Sequence, residues 1–179
     1  TPPGPGAPAA PPPPNPAVVA QVALTDMNLR PVTIGIVPEN TQGKVGVVGA
    51  PAWMWAANPG EASTGPMTRS ATVGGVTVQA TATLDKVVWD MGDGSTVTCA
   101  GTTAKGTPYY DAAGLKPSPT CGHTYTQPSS WQPGLAYTVT ATSYWTVNWQ
   151  GGGGAGVIPQ VLGNQTQIQV GELQVITTG

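Results

Sequence analysis

The chain holds one histidine and two cysteines, and they fall close together as Cys99, Cys121 and His123. Two chemistries suit such a set. As a metal site, the three side chains sit at a spacing that matches no zinc pattern, and Cys121-Gly122-His123 lacks the second cysteine of a haem-attachment motif. As a disulfide, an even pair of cysteines in a threonine-rich chain suits an oxidising compartment. A bridge there would close a loop of about 20 residues and stabilise the fold by about 3 kcal/mol through lost chain entropy. A Cys99–Cys121 disulfide is therefore expected, with His123 satisfied beside a turn.

Asp90 and Asp93 form the other reactive pair, inside the run Trp89-Asp90-Met91-Gly92-Asp93-Gly94. Calcium binding would need the spaced acidic ladder of an EF-hand loop, which D-x-x-D-G-S lacks, and few other carboxylates exist to help. A glycosidase pair would need a cleft and two separated pKa values, and a tight turn supplies neither. The favoured role is structural: both carboxylates accept hydrogen bonds from the turn's own amides, while Gly92 and Gly94 supply backbone angles closed to other residues. Serine hydrolysis would have to rely on His123 alone, without a G-x-S-x-G elbow. Nucleotide sites fail too, since Gly43-Lys44 is followed by Val45 and Pro38 stands where a P-loop needs glycine. Gly151-x-Gly153-x-x-Gly156 fits the dinucleotide spacing but lies between two strands with no helix to receive a pyrophosphate. No catalytic residue, cofactor or metal is expected.

The elements that carry these residues are mostly strands. In Val76–Leu84 the apolar set Val76, Val78, Ala80, Ala82 and Leu84 alternates with threonine and glutamine, as a half-buried strand does. A short turn at Asp85-Lys86 should lead into a second strand with Val87, Trp89 and Met91 on one face. Tyr137 to Trp149 alternates throughout, with Tyr137, Val139, Ala141, Ser143, Trp145, Val147 and Trp149 on one side. Gln150 and the glycines after it should close a hairpin, and its return strand switches parity from Ile168 and Val170 to Leu173 and Val175 across Gly171-Glu172, as a bulge would. Upstream, Asn15-Pro16 is a helix entry signal, and the helix it opens should place Val18, Val22 and Met27 on one stripe and stop before Pro31. Trp53 and Trp55 alternate with Met54 in an extended segment, so both indoles point one way, into core or toward a ligand. Residues 1–14 are proline-rich and should be extended polyproline II, a spacer or an assembly strap.

Composition limits the rest. The chain has 179 residues with 25 glycines, 20 prolines, 25 threonines and a net charge of −2, enough apolar content for a core. Six basic residues scattered from Arg30 to Lys116 make no stripe for nucleic acid, and no apolar run is long enough for membrane insertion. The chain begins with Thr1, so a processed or trimmed product is expected.

The run Trp89-Asp90-Met91-Gly92-Asp93-Gly94, followed by His123-Thr124-Tyr125 and the strand Tyr137-Thr138-Val139-Thr140, resembles the PKD (polycystic kidney disease) domain. That family's hallmark is a W-D-F-G-D-G turn and a later H-T-Y before a Y-T-V-T strand. The resemblance covers roughly residues 70 to 179 and implies an immunoglobulin-like β-sandwich in extracellular, surface-displayed proteins. The segments VGAPAWMW, TVTCAG, PSPTCGHTY and VGELQVI narrow it to secreted actinobacterial PKD-like proteins. Here Met91 replaces the usual aromatic, and the insertion between Gly94 and His123 is long and disulfide-closed, so no ligand role of that loop carries over. Tyr125 could anchor a corner through its hydroxyl.

The expected organisation is a linker or strap over 1–14, a helix plus extended segments over 15–70, and an all-β, PKD/Ig-like sandwich over 71–179. Two functions follow. One is a non-enzymatic extracellular structural or interaction module that binds itself or another secreted or surface protein, because low surface charge and long edges do little to discourage association. The other is a carbohydrate-binding module for cell-wall glycan, in which an aromatic ring among Trp53, Trp55, Trp145, Trp149, Trp131, Tyr109 and Tyr110 meets a sugar face. The last three are the best placed to be exposed. Asn164-Gln165-Thr166 is a glycosylation sequon in a host that has the machinery.

Overall fold

The computed structural model describes residues 2, 4–39 and 44–172. In chain order the elements are helix α1 (Pro16–Met27) and strands β1 (Ile34–Val37), β2 (Gly46–Val47), β3 (Pro51–Ala56), β4 (Met67–Val73), β5 (Val76–Asp90), β6 (Thr96–Ala100), β7 (Gly122–Thr124), β8 (Tyr137–Gly151), β9 (Gly154–Ile168) and β10 (Val170–Gly171). The larger sheet is antiparallel in the order β4-β5-β8-β9, with β6 pairing the far half of β5 beside β4's edge. The smaller sheet is antiparallel β1-β3-β7, and β2 with β10 forms a short parallel pair. Among the described residues the protein is thus mostly β, built of antiparallel sheets and a short parallel pair with one α-helix, which is consistent with a sandwich. Strand β4 runs across positions 70 and 71, where the sequence suggested a boundary.

Two side-chain parities set the large sheet. Val78, Ala80, Ala82 and Leu84 of β5 face inward, then Val87 and Trp89 do. The expected turn at Asp85-Lys86 is instead a bulge: the ladder to β8 shifts register between Leu84 and Lys86 and then continues to Asp90↔Thr140. One extra residue flips the face without reversing the chain, so a parity break alone cannot tell a bulge from a turn. The alternation of β8 holds, with Tyr137, Val139, Ala141, Ser143, Trp145 and Val147 buried and Trp149 half-buried. The hairpin closes at Gly151–Gly154, where Gly152 and Gly153 have φ of 61° and 82°. Ile168 and Val170 are buried. The parity switch expected at Leu173 and Val175 lies outside the described residues.

The inner face of strands this long needs two covers. Over the half near the hairpin tips lies α1, packed on β4 and β5. Asn15 caps it by accepting from the Ala17 N–H at 2.9 Å, and Asn28 ends it in the left-handed region at φ 47°, ψ 50°. Its buried stripe is Val19, Ala20, Ala23 and Met27, whereas Val18 is 59% exposed and Val22 38%. This corrects the valine stripe expected from sequence. The helix lies close to a sheet whose inward residues are themselves small, among them Ala71, Val78, Ala80 and Ala82, and alanine suits that approach better than valine. The other half is covered by the smaller sheet, tied in by the disulfide Cys99–Cys121 with S–S 2.04 Å and Cα–Cα 6.0 Å. Two indoles lie over cross-strand glycines, Trp55 on Gly35 and Trp149 on Gly156. A Cβ on Gly156 would meet the Trp149 Nε1 at 2.6 Å. Residues 4–13 form no helix or strand and are exposed; contact begins at Pro14, beside Gly74.

Candidate functional site

The end of β5 delivers the aspartate motif to the seam between the two sheets. Trp89 points inward and is buried. The chain then turns, with Asp90 Oδ1 accepting from the Gly92 N–H at 2.9 Å and Asp93 Oδ1 from the Ser95 N–H at 2.9 Å. Gly92 is required twice over: its φ is 79°, and a Cβ would lie 2.6 Å from the Thr138 carbonyl oxygen of β8. From the other sheet, β7 pairs with β3 so that His123 stands opposite Ala52. Its Nε2 lies 2.7 Å from Asp93 Oδ2.

Tyr125 follows directly. Its hydroxyl donates to the Met91 carbonyl at 2.8 Å, its ring stacks on Tyr137 with centroids 4.5 Å apart, and the His123 ring meets it edge-on at 4.7 Å. The Tyr137 hydroxyl donates to the Gln127 carbonyl at 2.7 Å. Burial, and then the nearby Asp93 charge, push both phenols above the ordinary tyrosine value, most strongly at Tyr125, so both remain hydrogen-bond donors. Burial alone would raise the Asp93 carboxyl. The bonds from His123 and the Ser95 amide outweigh it and hold the group below its ordinary 3.8.

Chemically this cluster is a clasp. Asp93 belongs to the β5–β6 turn of the larger sheet and His123 to the smaller one, and the hydrogen bonds of Asp90, Tyr125 and Tyr137 run to the protein's own backbone. The His123 ring packs at right angles to the Tyr125 ring. Among the described residues no group of three or more His, Cys, Asp or Glu side chains gathers to hold a metal ion. Gly94, the other motif glycine, has φ 89° in open space.

The aromatic platform divides. Trp53 and Trp145 are buried, and the Trp53 Nε1 donates to the Lys116 carbonyl at 2.9 Å. Tyr109 is half-buried, edge-on to Trp53 at 5.3 Å, with its hydroxyl donating to the Gly114 carbonyl at 3.1 Å. Tyr110 also meets Trp53 edge-on, at 5.7 Å, yet is 56% exposed, and Trp131 is 71% exposed. Both tyrosines therefore pin the insertion onto Trp53. Trp131 joins neither among the described ring pairs, so no shared platform of the three is assembled. The sequon residue Asn164 donates its Nδ2 to the Val32 carbonyl at 3.1 Å.

Sequence reading missed a groove of about 390 Å³ beside the clasp. Val37, Pro38, Val47, Pro51, Tyr109 and Leu115 line it, with Tyr125 beneath. It exists because β2 and β10 pair, and two two-residue strands that each contain a glycine carry no periodic signal. Tyr109 and Tyr125 were its legible parts. No protein-family model, curated protein or solved structure matches this chain.

Proposed function

We propose that this chain is a PKD/Ig-like β-sandwich of an extracellular or cell-surface protein, acting as a non-enzymatic structural and interaction module that associates with copies of itself or with a second secreted protein. The observation that carries this reading is the clasp: of the motif residues best suited to chemistry, Asp93, His123 and Tyr125 hold two sheets together and Asp90 fastens the turn, all through bonds to their own protein. The motif order supports the PKD resemblance, and the disulfide supports an oxidising location. No described helix is long and apolar enough to cross a membrane. The surface also favours association, because residues 124–171 contain no Asp, Glu, Lys or Arg, so copies approach there without like-charge repulsion. Light scattering on the purified, oxidised chain tests it. Masses at multiples of 18.0 kDa are expected, and a monomer at every concentration would remove self-association from the proposal.

A second reading is favoured by Trp131, whose indole is 71% exposed. As a glycan-binding module the protein would sediment with insoluble cell-wall polysaccharide, and Trp131→Ala would release it. Retention of the variant equal to the parent chain would rule this role out for that ring.

A further inference from the structure

The groove and the proline-rich segment are the two features that the fold itself does not use, and their chemistries match. Residues 4–13 are exposed, uncharged and outside any helix or strand. Proline lacks an N–H, so such a segment is poorly suited to add a strand to an edge; it offers ring faces and unpaired carbonyls, and its composition favours polyproline II at little entropic cost. Surfaces that take it are grooves lined by aromatic rings. The groove presents Tyr109, Pro38 and Pro51, with Val47 and the 80% exposed Leu115 on its walls. Lys44 also lines it and can donate to carbonyl oxygens, alongside the carboxylates of Glu39 and Asp111.

The topology then decides whose segment can enter. Pro14 touches Gly74 at the β4–β5 turn, and Pro16 lies against Gly152 at the β8–β9 turn. The groove sits at the other end of the same strands, where Tyr125 stacks on Tyr137, the first residue of β8. A strand of 15 residues spans about 46 Å at 3.3 Å per residue. Residues 1–14 in polyproline II reach about 40 Å, short of that length before any residue is laid into the groove. The chain cannot fill its own groove with this segment.

We infer that the groove receives the proline-rich segment of a second copy, joining copies head to tail from hairpin tip to clasp end. This rests on the association reading above and names its surface. Donor and acceptor are different patches, so the contact is heterologous and closes into a ring or continues as a chain.

The test uses the full chain, a version lacking residues 1–14, and a synthetic peptide of residues 1–14. Leu115→Arg and Val47→Lys change side chains that are 80% and 38% exposed, so the fold should tolerate them. The peptide should bind the truncated protein by calorimetry, a peptide with glycine in place of each proline should not, and either variant should weaken binding about tenfold or more. The full chain should form assemblies by light scattering, and truncation or either variant should return it to monomer. If truncation disperses the assemblies but neither variant does, the segment docks elsewhere and the groove assignment is overturned while association stands. If assemblies survive truncation, association stands without the segment and the inference is overturned. If the full chain is monomeric and the peptide still binds, the occupant is a different protein. If it is monomeric and the peptide does not bind, the inference is overturned and self-association falls with it, leaving only association with a second secreted protein.

Discussion

The two ends of the five-stranded sheet are held by different physics. At the clasp end, Trp89 and the Tyr125–Tyr137 stack sit under a turn fastened by directional bonds, with Asp93 on His123, Tyr125 on Met91, and a disulfide across the sheets. At the tip end, α1 lies on β4 and β5 through Val19, Ala20, Ala23 and Met27, and the Asn15 cap closes its first turn. Each directional bond at the clasp needs a particular side chain at a particular place, so that end is specified residue by residue. The tip end is specified by size, since alanine facing alanine permits closeness and little else. Substitutions should therefore behave differently at the two ends: loss of a group should hurt at the clasp, and gain of volume at the tip.

The largest effect expected is from Trp89→Ala, which empties a buried indole site and should cost about 3–5 kcal/mol, read as a lowered urea midpoint. A cost near zero would mean that the clasp end is not where the core is densest. Next comes the double change Cys99→Ala with Cys121→Ala. It should lower stability by about 3 kcal/mol in the loop-entropy account, and it should loosen amide protection on β6 and β7 before that on α1. Equal loosening at both ends would show the sheet to be one cooperative unit rather than two.

How much of this was readable in the sequence follows the same division. The clasp end was legible because its residues are rare and typed: the single histidine, the two cysteines, and aspartates spaced by glycine. Cys99 bridges Cys121, and Tyr125 anchors through its hydroxyl. The inward faces of β5 and β8 were legible by period two. Three things were not. The bulge at Asp85 shares its parity break with a turn, and only pairing to β8 beyond it distinguishes them. The helix stripe was misplaced because valines draw attention, whereas a close helix–sheet contact selects alanine. The groove depends on β2 meeting β10 across more than a hundred residues, a pairing that leaves no local trace. The loss of Tyr109 from the open platform has the same origin, for its contact with Trp53 is tertiary.

The tip end has its own test in Ala23→Leu. Ala23 is fully buried in the helix–sheet contact, so the added volume should push α1 off β4 and β5 and cost about 1–3 kcal/mol, despite leucine's good helix propensity. A stabilised variant would mean that the contact has room and is not set by size. A smaller effect, at the clasp, is a pH dependence. The Asp93 carboxyl lies below its ordinary value when folded, so its contribution is complete above the unfolded pKa of about 3.9 and is lost as pH falls through the folded value. Asp93→Asn should remove that acid sensitivity, narrowing the Tm drop between neutral pH and pH 2.5, and at neutral pH it should cost about 1–2 kcal/mol. If parent and variant lose the same Tm on acidification, Asp93 is not the acid-sensitive fastening.

Asn15→Ala is expected to have the smallest effect and to discriminate most sharply. The Asn15 side chain accepts from the Ala17 N–H at 2.9 Å, and its loss should cost about 1 kcal/mol, as N-cap removal does. The helix is 12 residues long, too short to persist alone in water, so a weaker cap must show either as fraying of α1 or as weaker packing of the whole tip end. Hydrogen exchange separates these. Faster exchange confined to the first turn of α1 means that the alanine contact holds the helix regardless of its cap. Faster exchange across α1, β4 and the first half of β5, with the clasp-end amides of β6 and β7 unchanged, means that the tip end opens as its own unit.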